Sequence, residues 1–325
     1  MNKDGKIGIY FLKEIWSQHN DLKHSREPSK QIKWNYINAV FNTLRIGSEP
    51  TIKYLMTSSK SFDDFESWIE QNGTISKRAI NHFNSIIENE KVYKNSIKEE
   101  VLTHKEIEHW NKEGFVILKN AISKEDCEKT VDFICNQIDA DLKDKSSWYR
   151  SHPLKQGIMV QLFNHEILEK NRYSNKIRLA FEQLWNKKNL IASMDRVSFN
   201  PPETDYYKFQ GPNLHWDVSL KQPIPFGIQG LLYLTDTSED QGAFTVIPGF
   251  HNSITSWLDS LNDDPRDTNL LDSFKEKPIS ANAGDFIFWN HCLPHGSRRN
   301  LAELPRIVQY INYQPIDFEY QQEWI

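Results

Sequence analysis

The order of hydrophobic patterns along this chain predicts a mainly β protein with flanking helices, a double-sheet jelly roll preceded by an α-helical N-terminal extension. Two observations predict it. From Phe115 onward the chain reads as short strand-like runs broken by Pro and Gly, whereas residues 1–100 carry apolar residues at helical spacing. The first hundred residues are dense in Lys, Glu, Asn and Trp, and nothing in them repeats. The expected division is an α-helical extension over 1–100 and a β-rich domain over 101–325.

In the extension, 32–44 and 52–56 suggest helices. Ser61 is placed to cap a helix whose Phe62, Phe65, Trp68 and Ile69 form one apolar stripe, and Gly73 stops it. A further helix is expected over 77–89. Thr103 with Glu106 spells a capping box for the next helix, which Gly114 ends. The extension reads either as a buttress packed on the β-rich part or as a device that shapes a site mouth or a dimer contact; an aromatic stripe at helical spacing favours the buttress. Helices at 127–140 and 176–185 follow, with strands at 228–236, 243–247, 285–289 and 306–313. Alternation sorts their faces. If Arg306 points inward, so do Val308 and Tyr310, while Ile307, Gln309 and Ile311 face covering helices; Gln229, Leu231, Tyr233 and Thr235 form the inward set of their strand.

A chain of 325 residues with 38% hydrophobic and 12% aromatic content can bury one sizeable core with an appendage. Its net charge of −5 gives no broad basic field for a phosphate backbone, so no nucleic-acid partner is expected and small molecules become the default substrates. Cys127 and Cys135 fall in one expected helix and Cys292 lies far away, which spells neither a disulfide framework nor a zinc spacing and points to a reducing compartment. No run has the length to span a bilayer, the N-terminus lacks an apolar signal core, and Gln322-Glu323-Trp324-Ile325 is no peroxisomal tripeptide. The expectation is a cytoplasmic protein with no membrane partner; the sequence carries no signal for its oligomeric state.

The chemistry lies in His215-Trp216-Asp217, followed far downstream by His295 and then Arg306. On an extended segment His215 and Asp217 share one side and Trp216 takes the other. A lone His-x-Asp is also what a surface histidine beside a solvated aspartate looks like, so the distal residues decide. His295 follows the strand-like run 286–289 at a break made by Pro294 and Gly296, placing a third donor at a strand end. Two imidazoles and one carboxylate on one face leave positions open for co-substrate and oxygen, the arrangement of non-heme Fe(II) oxygenases. Residues 298–303 read as a loop and 306–313 as the returning strand, so His295 and Arg306 are expected to be cross-strand neighbours. Arg306 presents a planar, permanently charged fork suited to the distal carboxylate of 2-oxoglutarate, and Ser297 can add a hydroxyl. His291 offers a competing distal ligand.

With these motifs the chain resembles the phytanoyl-CoA dioxygenase family of Fe(II)/2-oxoglutarate oxygenases. The resemblance runs over roughly 101–315: the helix and strand of 106–118, the helix of 123–134, Ser193-Met194-Asp195-Arg196 with Asn200-Pro201-Pro202, the strand of 227–236, Gly242 to His251 with its Pro248-Gly249 turn, and Ala283-Gly284-Asp285. It implies a cupin-like double-stranded β-helix that uses Fe(II), 2-oxoglutarate and O2, and oxidises an unactivated C–H bond with release of succinate and CO2. It also implies that His295 outranks His291, which then reads as a structural histidine, and that Tyr233 and Asn200 contact the co-substrate. Tyr233 reads equally as a core tyrosine. Asp217 argues for hydroxylation over halogenation, since related halogenases carry a small residue there; desaturation and cyclisation start from the same substrate radical. Phe250 stands where the family commonly has serine, a departure expected to alter the rim of the site.

The substrate is the least legible part. Trp148, Tyr149, Arg150, His152 and Gln161, together with Trp216 and Arg298, are candidates to line a pocket for a small charged molecule, each weighed against a plain surface or packing role. A polar composition without a basic cluster for a nucleotide diphosphate favours an amino acid-like or specialised metabolite over an acyl-CoA. Two other readings stand beside it: a non-catalytic protein that binds 2-oxoglutarate or metal, and a hydroxylase of protein side chains.

Overall fold

The computed structural model describes residues 3–88, 100–262 and 264–325. In chain order the described helices are α1 (Leu12–Lys23), α2 (Trp34–Thr43), α3 (Ser48–Thr57), α4 (Phe62–Asn72), α5 (Lys77–Glu88), α6 (His104–Glu113), α7 (Lys124–Gln137), α8 (Glu166–Arg172), α9 (Asn175–Trp185) and α10 (Ile254–Ser260). The described strands are β1 (Phe115–Leu118), β2 (Lys155–Gln156), β3 (Met159–Val160), β4 (Ile191–Ala192), β5 (Val197–Asn200), β6 (Ile228–Tyr233), β7 (Thr245–Val246), β8 (Lys277–Pro278), β9 (Phe286–Asn290), β10 (His295–Gly296), β11 (Arg306–Tyr310) and β12 (Tyr313–Gln314).

The chain forms two compact units. One holds Met1–Lys98 with two later segments, Trp185–Met194 and Tyr313–Tyr320; the other holds Glu99–Leu184, Asp195–Asn312 and Gln321–Ile325. The block expected over 101–325 therefore cedes two segments to the N-terminal unit. The expected end of the fifth helix, at 89, lies outside the described residues.

In the first unit the helices pack by their apolar stripes. Ser61 caps α4 by accepting from the Asp64 N–H, Gly73 follows its last turn, and Phe65 and Ile69 reach full burial. Val40, Leu44, Phe83, Ile191 and Ile316 share that core. Tyr313 and Gln314 pair with Ala192 and Ile191, and the Trp185 indole donates to the Tyr313 carbonyl (2.9 Å).

The second unit is a jelly roll. Seven strands run antiparallel in the order β1-β9-β6-β11-β5-β3-β2, and β10-β7-β8 form a smaller sheet. The core between them takes Leu231, Tyr233, Ile287, Trp289 and Val308 from the large sheet, with Leu214, Phe244 and Val246 from the small sheet and its flanks. The expected alternation holds for Leu231, Tyr233 and Val308, which face this core, and for Gln309, whose side chain turns away to the Leu168 carbonyl and Asn171 of α8; on β9 Phe286 and Phe288 also point that way, onto Phe181 of α9 (ring centroids 5.9 and 4.8 Å). Gly230 makes room on that face, since a Cβ there would stand 2.3 Å from the Phe286 ring. The capping box on α6 forms between Thr103 and Glu106, and Gly114 closes the helix at φ 80°.

One expectation is overturned. His295 and Arg306 are not cross-strand neighbours, because β10 pairs with β7 in the small sheet whereas Arg306 pairs with Asn200 of β5 in the large one. The intervening segment crosses between sheets instead of turning back. Buried Asn300 holds it there, donating to the carbonyls of Asn200 and Leu304 (both 2.9 Å).

Candidate active site

His215 lies on an extended segment that joins the edge of the small sheet through two backbone bonds with His295 (2.9 and 3.0 Å). This places two histidines side by side, with rings 4.8 Å apart, and brings Asp217 to the same side. The ligand atoms of His215, Asp217 and His295 lie within 4.8 Å of one another. Each ring is oriented by its Nδ1–H, which donates to the Asn213 carbonyl in His215 (2.8 Å) and to the Leu293 carbonyl in His295 (3.0 Å). Both Nε2 atoms therefore face the carboxylate, at 3.5 Å from Asp217 Oδ1 for His215 and 3.2 Å from Oδ2 for His295. Partial desolvation by the surrounding side chains pushes the half-exposed Asp217 carboxyl up, but its bonds to His215 and His295 outweigh that and hold it below the usual carboxylate range. Burial lowers the His215 imidazole while Asp217 lifts it, with a net upward shift. Two imidazole nitrogens turned toward an ionised carboxylate form a donor set that fits a divalent first-row metal.

A cavity of about 280 Å³ opens beside these three side chains. Phe244, Trp289, Ile158 and Met159 give it apolar walls; Gln229, Asp195, Arg196, Tyr310 and Asn312 add polar ones. Ser297 lines both this cavity and a second of about 630 Å³. Arg306 lines neither. It is fully buried, its guanidinium donates to the Gly242 carbonyl (3.0 Å) and the Ser198 hydroxyl (3.2 Å), and its Nε has no partner. Beside it Asn200, also buried, donates to the Arg298 carbonyl (3.1 Å) and leaves Oδ1 unpartnered. A buried cation among neutral partners is poorly compensated, so this pair fits an anionic group that brings acceptors.

Other expected site residues fall elsewhere. The Tyr233 hydroxyl accepts from the Phe244 N–H and donates to the Ile279 carbonyl (both 2.9 Å), so its capacity is spent inside the core. Trp216 is buried against Phe250 and Trp257 with its indole bonded to the Cys292 carbonyl, on the face away from the cavity. Gln161 bonds Gln156, and Arg150 is exposed and paired with Asp144; neither reaches the site. Trp148, Tyr149 and His152 line neither cavity. Arg298 lines the larger cavity, 3.7 Å from Glu276. His291 is buried, bonds the Pro225 carbonyl (2.6 Å) and stays outside the donor cluster. Phe250 belongs to the core and not to the rim, packing edge-to-face against Trp257 and Phe274. What sequence reasoning left unassigned is the role of Gln229, whose amide donates to Asp217 Oδ2 (2.9 Å). Its signal was a polar residue among the inward positions of an apolar strand.

Comparisons with known proteins agree with this fold. The model of the phytanoyl-CoA dioxygenase (PhyH) family matches residues 110–308, more than half of the chain. A Dictyostelium discoideum protein whose name places it among the phytanoyl-CoA dioxygenases is 26% identical over 262 residues, 64% of this chain and 74% of that protein. Among solved structures, GlcNAc Inducible Gene 2 (GIG2, DUF1479) from Candida albicans aligns with a TM-score of 0.52 at 14% identity, covering 67% of this chain and 65% of its own. HygX from Streptomyces hygroscopicus, crystallised with nickel and 2-oxoglutarate, aligns at 0.48 and 14% identity over 69% of this chain and 91% of its own. On the family match, the chain belongs to the phytanoyl-CoA dioxygenase family of Fe(II)- and 2-oxoglutarate-dependent oxygenases.

Proposed function

We propose that this protein hydroxylates an unactivated C–H position of a small polar metabolite, amino acid-like or specialised, with His215, Asp217 and His295 holding Fe(II) and Arg306 with Asn200 and Ser297 receiving 2-oxoglutarate. The observation that carries the reading is the convergence of two imidazoles and a carboxylate on a cavity of about 280 Å³, a size that suits a small molecule. With O2, such a centre supplies oxidative decarboxylation of 2-oxoglutarate to succinate and CO2 coupled to substrate oxidation. The chain supplies position and shelter. The backbone carbonyls of Asn213 and Leu293 fix the two imidazole tautomers, and Phe244 and Trp289 pack on the His295 side of the cavity (ring centroids 6.0 and 5.1 Å from His295), restricting water there. The carboxylate of Asp217 occupies the position that a halogenase leaves vacant, which supports hydroxylation.

The larger cavity bears on the substrate. Glu239, Asp240, Asp272 and Glu276 line it against Arg298 and Arg299, and Arg299 is paired with Glu203 (2.6 Å). A surface of that balance disfavours the polyanionic nucleotide of an acyl-CoA. Among the described residues no helix is long and apolar enough to cross a membrane, and three buried unpaired cysteines support the cytoplasm as its place.

The test is an anaerobic titration of metal-free protein with Fe(II) and then 2-oxoglutarate, following the visible charge-transfer band of the chelated keto acid, with His295→Ala in parallel. A band in wild type and none in the variant is expected. A folded wild type without the band would overturn the enzyme in favour of a non-catalytic binding protein. Succinate release then ranks amino acids, specialised metabolites and acyl-CoA thioesters as substrates.

A further inference from the structure

We propose that Gln229 is a positioning residue for the metal centre and that Trp289 acts through it, a proposal that rests on the metal-binding reading above. Gln229 on β6 and Trp289 on β9 are direct cross-strand partners, with both side chains directed toward the site. The Trp289 indole N–H donates to Gln229 Oε1 (3.1 Å), and Gln229 Nε2 donates to Asp217 Oδ2 (2.9 Å). The direction of this relay is fixed by chemistry. An indole can only donate and a carboxylate can only accept, so the amide between them has one orientation that satisfies both ends.

Asp217 needs such a partner. It lies outside the regular strands, and its side chain is 52% exposed, against 4% for His295, so packing alone does not fix its rotation. The relay ties it to Trp289, which is 2% exposed, and the same indole lies 5.1 Å from the His295 ring. One tryptophan thus braces two of the three donors, the histidine by ring contact and the carboxylate through Gln229. Ordering the carboxylate before metal arrives removes a freedom that binding would otherwise have to freeze.

The full-length, metal-free protein is titrated with Co(II), read by its visible d–d absorption, for wild type, Gln229→Met, Trp289→Phe, the double variant and His295→Ala. Gln229→Met keeps the shape of the side chain and removes the donor. It is expected to weaken Co(II) binding roughly 10- to 100-fold while leaving the thermal midpoint of the metal-free protein near wild type. Trp289→Phe, which keeps a ring beside His295 and removes only the indole N–H, should weaken it less, and the double variant should match Gln229→Met alone, because that N–H acts on the carboxylate only through Gln229. Gln229→Asn, which stays polar but falls short of Asp217, should show the same loss, and serves in place of Gln229→Met if that variant does not fold. Wild-type affinity in Gln229→Met or Gln229→Asn overturns the proposal, and additive losses in the double variant overturn the relay. A wild type that binds no Co(II) in a His295-dependent manner instead overturns the metal reading, and this proposal with it.

Discussion

Arg306 is a full charge at 0% exposure that donates to two neutral groups, the Gly242 carbonyl and the Ser198 hydroxyl. A carboxylate delivered by 2-oxoglutarate would compensate it, so Arg306→Ala is expected to raise the 2-oxoglutarate KM by roughly 10- to 100-fold, the loss of a charge-assisted hydrogen-bonded pair, while Fe(II) affinity stays close to wild type. Wild-type behaviour across a co-substrate titration would refute the anchor. His291 carries a pH signature. Burial pushes its imidazole from 6.5 down to about 4. Between those values the unfolded chain binds a proton that the folded one refuses, so this contribution to stability is full above about pH 6.5 and is lost as pH falls toward 4, by roughly 3 kcal/mol. Urea unfolding at pH 7.5 and pH 5 should show about 2 kcal/mol of that loss in wild type and a smaller one in His291→Gln. The metal-donor candidates were legible because His-x-Asp on extended backbone has only one way to share a face. The same rule sends Trp216 to the opposite face, which is why it lies in the core and not among the cavity walls.

At the scale of elements, caps and alternation were the readable signals. The box of Thr103 and Glu106 forms with both reciprocal bonds, Thr103 Oγ1 accepting from the Glu106 N–H (3.3 Å) and Glu106 Oε2 from the Thr103 N–H (2.7 Å). Thr103→Ala is expected to destabilise the protein by about 1 kcal/mol, measured by urea unfolding, with no change in metal affinity. Helix α1 gave no comparable signal. Its buried face is Leu12, Ile15, Gln18 and His19, half of it polar; Gln18 finds its partner only in the fold, accepting from the Ile32 N–H (2.6 Å), while His19 Nδ1 donates to the Ile15 carbonyl of its own helix (2.8 Å). The strand expected over 306–313 is split, because Tyr313 and Gln314 pair with β4 and not with the large sheet.

For the whole molecule the consequential feature is that the N-terminal unit is built from three stretches of chain. Ile191, Tyr313 and Ile316 are buried in it, Arg45 donates to the Ala192 carbonyl (2.9 Å) and Asn35 to the Ile316 carbonyl (2.7 Å). A chain cut to residues 100–325 would keep 185–194 and 313–320 but lose the helices that cover them. We expect it to be aggregation-prone or to unfold at a lower temperature than the full chain, as followed by light scattering and thermal melting. Soluble expression with an unchanged melting profile would refute this and would make the extension dispensable for folding.

The fold class, the candidate donor cluster His215, Asp217 and His295, and the inward or outward sense of most strand residues were legible from the amino acids alone, because each depends on spacing along a few consecutive residues or on a family pattern carried by short motifs. Which sheet receives Arg306, that Tyr233 spends its hydroxyl on the backbone, and that Gln229 reaches Asp217 were decided only by the tertiary structure. Those facts turn on the crossing between sheets at Asn300 and on hydrogen-bond partners 11 to 100 residues apart. Local patterns set what a side chain faces; only the folded chain sets what it finds there.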